Sequence, residues 1–153
     1  MVTVRKGQSA DLRSVLELVK QLAIFEKAPD EVEVTTREMK AWFETDRLFD
    51  FFVLEKDGVI AGIALYYYKY STWKGKCLFL EDIIVTENER NKGYGKLLFA
   101  AVVNVARHEN VRRMEWQVLA WNKPAIEFYK KYRSHFDEEW INCKLVGEQI
   151  QSM

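Results

Sequence analysis

Leu80-Glu81-Asp82-Ile83-Ile84-Val85-Thr86-Glu87-Asn88-Glu89-Arg90-Asn91-Lys92-Gly93-Tyr94-Gly95-Lys96-Leu97-Leu98 is the stretch on which the fold turns. It begins as an apolar strand and carries two adjacent acids where a strand is usually apolar. It then passes through a polar turn and enters a helix at Gly93-x-Gly95. A turn whose N–H groups converge at a helix start, with Arg90, Lys92 and Lys96 beside it, suits a multiply charged anion. The acids just upstream would stand beside whatever that anion carries. In a regular strand Glu81 and Asp82 face opposite sides of the sheet, so both line one cleft only if a bulge intervenes.

Downstream, Tyr94, Leu97, Leu98, Ala101, Val102, Val105 and Ala106 recur at the spacing of one helical face. Upstream, Phe49 to Glu55 and Val59 to Tyr70 read as two strands joined by the hairpin signal Asp57-Gly58, and Trp73-Lys74-Gly75-Lys76 turns the chain into a third, Cys77 to Val85. The three form a meander. Nearer the N-terminus, Val2 to Lys6 alternates like a strand, and Ser9 offers an N-cap to an amphipathic helix that stops near Ala28-Pro29. Thr35-Thr36-Arg37-Glu38 opens a short helix to about Glu44. Met114 to Leu119 is a strand between helices and therefore parallel to its neighbour; Asn122 caps a helix with an early Pro124, and Trp140 to Glu148 reads as a last strand.

These elements predict an α/β fold in one domain, 1–153, with a mixed sheet of about six to seven strands, an antiparallel meander plus a parallel pair, flanked by about four helices. Lys plus Arg and Asp plus Glu both count 23, so no overall field steers the chain to nucleic acid or to an anionic membrane. The N-terminus lacks a signal-like apolar region, and the longest apolar run, Val59 to Tyr68, is too short to span a bilayer. Cys77 and Cys143 form no C-x-x-C and point to reduced thiols in the cytoplasm.

Three readings of the glycine turn compete. A P-loop needs Gly where Arg90 stands and Ser or Thr where Leu97 stands, and a dinucleotide fingerprint needs a third Gly at Leu98. There remain a longer turn, Arg90-x-x-Gly93-x-Gly95, wrapping a pyrophosphate, and two glycines that merely ease the chain into a helix. Arg90-Asn91-Lys92-Gly93-Tyr94-Gly95 matches the R/Q-x-x-G-x-G/A signature of the GNAT superfamily of N-acetyltransferases, which binds acetyl-CoA. Tyr66-Tyr67-Tyr68, Trp73-Lys74-Gly75-Lys76, Leu80-Glu81-Asp82 and Trp121-Asn122-Lys123-Pro124-Ala125-Ile126-Glu127-Phe128-Tyr129-Lys130 resemble the diamine branch, whose members act on spermidine, spermine or thialysine. The likeness runs over nearly the whole chain.

The resemblance implies a transferase moving an acetyl group from acetyl-CoA directly to a primary amine of a small basic molecule, without metal. It implies Glu81 as general base, Tyr129 as general acid to the departing thiolate, and Asp82 as a charge partner. Ile83 and Val85 would offer backbone groups to the pantetheine arm, with Asn122 touching it. Arg90, Asn91, Lys92, Gly93, Tyr94, Gly95 and Lys96 would hold the pyrophosphate. Phe25, Glu26, Trp73 and Glu139 would meet the amine. On geometry alone Tyr129 reads as a core tyrosine and Asn122 as a helix cap. A homodimer is implied by the family and suits the aromatic tail around Trp140. Two rival readings stay open: a protein- or peptide-modifying acetyltransferase, and a non-catalytic CoA-binding regulatory module. Two departures stand out: Tyr70-Ser71-Thr72-Trp73 lacks the acid and Pro of polyamine members, and Lys131-Tyr132-Arg133-Ser134 lacks a Gly usual after the Phe-Tyr helix.

Overall fold

The alternating and apolar runs of the N-terminal part pair into one sheet in strict chain order. The computed structural model, which describes residues 1–153, has strands β1 (Val2–Lys6), β2 (Asp50–Lys56), β3 (Val59–Ser71), β4 (Gly75–Val85) and β5 (Met114–Glu115) in the order β1-β2-β3-β4-β5. The first four are antiparallel neighbours, and β4 pairs with β5 in parallel. Helices α1 (Leu12–Phe25) and α2 (Thr36–Glu44) precede β2, and α3 (Tyr94–His108) links β4 to β5. The chain divides into two compact units, Met1–Gln117 and Val118–Met153. The second holds α4 (Lys123–Lys130) and α5 (Gly147–Gln151).

Side-chain alternation gives the sheet two apolar faces. Phe51, Val53, Ile63 and Ile84 point to one side, where they bury Leu12, Val15, Leu16 and Leu18 of α1 and Met39 of α2. Each such side chain contributes about 1.5–3 kcal/mol on leaving water. The opposite face carries α3, whose buried stripe is Leu98, Phe99, Val102 and Ala106. Gly62 is required by that packing: a Cβ there would lie 2.9 Å from the Ile84 carbonyl oxygen and 3.1 Å from a methyl of Leu98.

Several local predictions hold. Thr35 and Glu38 close a reciprocal capping box, and α3 begins at Tyr94. Others shift. Ser9 lies in a short 3-10 turn, and α1 starts only at Leu12, because the Asp11 carboxylate takes the Gln8 N–H at 2.8 Å and both guanidinium nitrogens of Arg5. The helix stops at Phe25, before Pro29 acts, with Lys27 left-handed at φ +62° and the Ala28 N–H closing onto Ala23 O at 2.8 Å.

The sheet has five strands rather than six or seven, and there are five helices rather than four. The run read as Met114 to Leu119 pairs only at Met114 and Glu115. The tail from Trp140 to Glu148 alternates as a strand does, yet it forms no ladder and ends in α5. A strand exists by pairing its backbone, and alternation alone does not supply the partner. In the C-terminal unit Arg133, at φ +56°, takes the left-handed position after α4 that a glycine would fill more easily. No helix is long and apolar enough to cross a membrane.

Candidate active site

The two acids of β4 reach one face because the strand carries an extra residue between them and the next rung. Leu65 of β3 is paired with Asp82, but its neighbour Tyr66 is paired with Leu80, so Glu81 is the unpaired residue of a β-bulge. The phenol of Tyr67 donates to Glu81 Oε2 at 3.1 Å, and its ring stacks on Phe79 at 5.3 Å. Tyr67 and Leu65 lie two apart on β3 and share a face, the one on which Leu65 packs against the α1 core. Glu81 and Asp82 therefore both point to the α1 side. The bulge that simple alternation could not supply is present.

Charge is concentrated there. Burial, then the nearby charges of Glu81 and Glu26, push the Asp82 carboxyl up to about 7. Burial also raises the Glu26 carboxyl. The Tyr67 phenol is pushed up to about 12 by burial and by Glu81, which accepts its proton in a hydrogen bond. Phe25 and Glu26 close α1 at this point, and the Arg90 guanidinium stands 5.3 Å from the Phe25 ring centroid. The structure thus gathers Phe25, Glu26, Glu81, Asp82 and Arg90. It does not bring Trp73 to them. Trp73 sits in the β3–β4 turn, 78% exposed, beyond the Ser71–Gly75 rung, about 17 Å along the strand from the bulge at ~3.4 Å per residue.

The turn after β4 is built from backbone. A single 3-10 turn, Glu87–Glu89, leads to extended Arg90, then Asn91 at φ +63° and Gly93 at φ +82°. Asn and Gly tolerate that left-handed region better than other residues. Leu97 N–H bonds Gly93 O at 3.3 Å, so the amides of Tyr94, Gly95 and Lys96 have no acceptor within α3, and Gly93 has no side chain to cap them. A Cβ on Gly95 would meet nothing within 4 Å. Glycine in a helix costs roughly 0.5–1 kcal/mol relative to alanine. Here no packing demands it, and its absent side chain leaves the helix start bare. That combination fits the pyrophosphate of acetyl-CoA. Of the nearby cations, Lys92 and Lys56 both bind Glu89, at 3.0 and 2.9 Å, which holds the Glu89 carboxyl below its usual range, while Lys96 is unpaired.

Beyond the bulge β4 has one strand neighbour. The Thr86 N–H bonds Ala61 O at 2.9 Å, and in this register the amides and carbonyls of Ile84 and Asp82 also face β3. Those of Ile83 and Val85 face the other way, past the end of the β5 ladder at Phe79–Glu115. The Val85 carbonyl accepts from Arg90 Nε at 3.0 Å. These are the positions at which the resemblance put pantetheine contacts. Neither the Tyr67–Glu81 bond nor the Arg90–Val85 bond was foreseen; only the register of β3 on β4 would have shown the first.

In the C-terminal unit Asn122 caps α4, its side-chain oxygen accepting the Ala125 N–H at 3.3 Å. Tyr129 lies in the last turn of α4, half-buried, its ring centroid 5.2 Å from that of Phe128. Glu139 is exposed and its N–H bonds Asp137 at 3.0 Å.

Comparison with known proteins identifies the family. A family model described as the acetyltransferase (GNAT) family matches residues 15–133. The thialysine N-epsilon-acetyltransferase of Bos taurus is 32% identical, the match covering 99% of this chain and 96% of that protein. The L-ornithine N5-acetyltransferase of Arabidopsis thaliana is 39% identical over 63% of this chain and 43% of its own length. Among solved structures, a predicted acetyltransferase from Clostridium acetobutylicum with acetyl-CoA superposes with a TM-score of 0.76 over 94% of this chain and 96% of the other, at 18% identity, a likeness of fold. The chain belongs to the acetyltransferase (GNAT) family of N-acetyltransferases.

Proposed function

We propose that this protein transfers the acetyl group of acetyl-CoA directly to a primary amine of a small basic molecule. The observation that carries the reading is the bulge at Glu81, which turns two acids to one face beside Glu26, a few residues before an uncapped helix start. An alkylamine of pKa about 10.4 is roughly 3.4 units from half-deprotonation at pH 7, so presenting it as a nucleophile costs about 4.6 kcal/mol. Three carboxylates attract the ammonium, and a carboxylate that titrates near neutrality is suited to take its proton.

The family resemblance gave the base to Glu81 and the charge contact to Asp82. We carry both forward as a coupled pair: Tyr67 fixes Glu81, burial holds Asp82 near 7, and the pair accepts the proton. Glu26 and Phe25 hold the substrate. Arg90, Asn91, Lys92, Lys96 and the bare amides of Tyr94 and Gly95 bind the cosubstrate's phosphates, and the backbone of Ile83 and Val85 orients its arm. Acetyl-CoA supplies the activated acetyl group. Tyr129 is assigned as proton donor to the leaving sulfur and Asn122 as a further contact. Support for these last two comes from the family match alone, which runs across both compact units and favours one catalytic domain over 1–153.

The test is free-CoA release from acetyl-CoA with a panel of diamines, thialysine and lysine analogues. No release above background from folded protein would end the enzymatic claim. CoA binding with release at the same background rate in wild type, Glu81→Gln and Tyr129→Phe would select a regulatory module; turnover on N-terminal peptides alone would select a protein-modifying enzyme. We further propose a homodimer, because the tail exposes Trp140 at 72% and Ile141 at 87%, and a cytoplasmic location, because Cys77 and Cys143 are free thiols. Sedimentation showing only monomer at micromolar concentration would overturn the dimer.

A further inference from the structure

Three acids meet at the β4 bulge, and they are not held alike. Glu81 accepts the Tyr67 phenol at 3.1 Å. Asp82 and Glu26 accept no hydrogen bond and have no Lys or Arg at ion-pair distance. Asp82 also lies deeper than its neighbour, half-buried where Glu81 is exposed. The single tether has a local cause. The extra residue of a bulge has no rung opposite to set its direction, so Glu81 needs a partner outside the ladder. Tyr67 supplies one: its rung partner is Phe79, the two rings stack at 5.3 Å with 28° between their planes, and the stack steadies the phenol that reaches Glu81, two residues on from Phe79. Asp82 is placed by its rung with Leu65 and by no side chain.

A carboxylate that accepts a phenol hydrogen bond is favoured as the anion, whereas one crowded by other anions and given no donor favours its proton. The titratable groups that face Asp82 are Glu81 on its own strand, Glu26 of α1 and the Tyr67 phenol of β3; none is a cation. We infer that Tyr67 is a positioning residue that divides the work of the two acids: it holds Glu81 as the fixed anion that draws in the substrate's ammonium, and leaves Asp82 as the acid that takes the proton. The inference rests on the proposed acetyl transfer and reverses the roles that the family resemblance gave to Glu81 and Asp82. In the step assigned to Asp82 an N–H bond of the ammonium breaks, an O–H bond forms on the carboxylate, and the lone pair stays on nitrogen for attack. Asp82 then returns the proton to solvent.

The test measures kcat and KM for the fastest amine of the panel, from pH 5 to pH 8, in wild type, Asp82→Asn, Glu81→Gln, Tyr67→Phe and the double variant Tyr67→Phe with Glu81→Gln. Asp82→Asn, an isosteric change, lowers kcat about 100-fold and displaces the acidic limb. Tyr67→Phe keeps the ring and its stack and loses only the hydroxyl. It raises KM for the amine about three- to tenfold, the effect of one hydrogen bond; in the Glu81→Gln background it changes KM by less than about twofold, because the group it acts through is gone. A larger kcat loss in Glu81→Gln than in Asp82→Asn, or an equal effect of Tyr67→Phe in both backgrounds, overturns the division and leaves acetyl transfer standing. If wild type turns over no amine, acetyl transfer fails and carboxyl carbon-13 NMR titration decides the division. Asp82 gaining its proton before Glu81 as pH falls, with the gap narrowed in Tyr67→Phe, upholds it; the reverse order or an unaltered gap overturns it.

Discussion

The bulge of β4 and the turn that follows it sit side by side in sequence and are built for opposite charges by opposite means. The turn presents backbone amides, a left-handed Asn91 and Gly93, and a bare Gly95, a set suited to an anion. The bulge presents side chains, gathering Glu81, Asp82 and Glu26 under partial burial, a set suited to a cation. Backbone amides do not titrate, whereas crowded carboxylates do. The amine half of the reaction should therefore carry the pH dependence, and the cosubstrate half should show up as affinity.

Removing both acids breaks the comparison most completely. The double variant Glu81→Gln with Asp82→Asn is expected to lose about 10³-fold in kcat/KM for the amine, within the range of general base catalysis, with acetyl-CoA binding kept; a loss under tenfold in a folded protein would end the acid-pair assignment. Next comes pH. Because the carboxylate form must be present, kcat/KM for the amine rises about tenfold per unit below the Asp82 value of about 7 and levels above it, and Asp82→Asn displaces that limb. A wild-type profile flat from pH 5 to pH 8 contradicts it.

On the turn, Gly93→Ala forces a side chain into φ +82°. It should raise KM for acetyl-CoA by about tenfold and cost about 1 kcal/mol of stability, read by kinetics and urea unfolding together. An unaltered KM would mean that the turn does not hold phosphate. The smallest effect is on stability. The folded pKa of Asp82 is raised, so its protonated form is favoured and stability is lost as pH climbs from the unfolded value near 4 to about 7. Asp82→Asn should thus be about 1–3 kcal/mol more stable than wild type at pH 8, after allowance for solvent screening, and no more stable at pH 4. Equal differences at both values would show that Asp82 is not strained in its charged form.

The same contrast explains what could be read from the chain. The turn, the Tyr94 helix, the Thr35–Glu38 box and the Asn122 cap each depend on residues a few positions apart, and each is present as read. The bulge is different: it arises where β3 and β4 fall out of step, and nothing in Leu80-Glu81-Asp82 marks which residue is the extra one. The bond from Tyr67 to Glu81 depends on that register and was hidden with it. The tail misled in the other direction, its alternation promising a strand that finds no rung.

The outward-facing backbone of Ile83 and Val85 has one more consequence, for how the protein survives at high concentration. A strand edge without a partner is where chains add to one another and build cross-β aggregates. Here the edge is only a few residues long, and Arg90 folds back onto the Val85 carbonyl, placing a charge at its end. A charge at the end of a short open edge is one device by which natural strands resist addition. A variant that loses it should aggregate sooner than its fall in melting temperature would suggest.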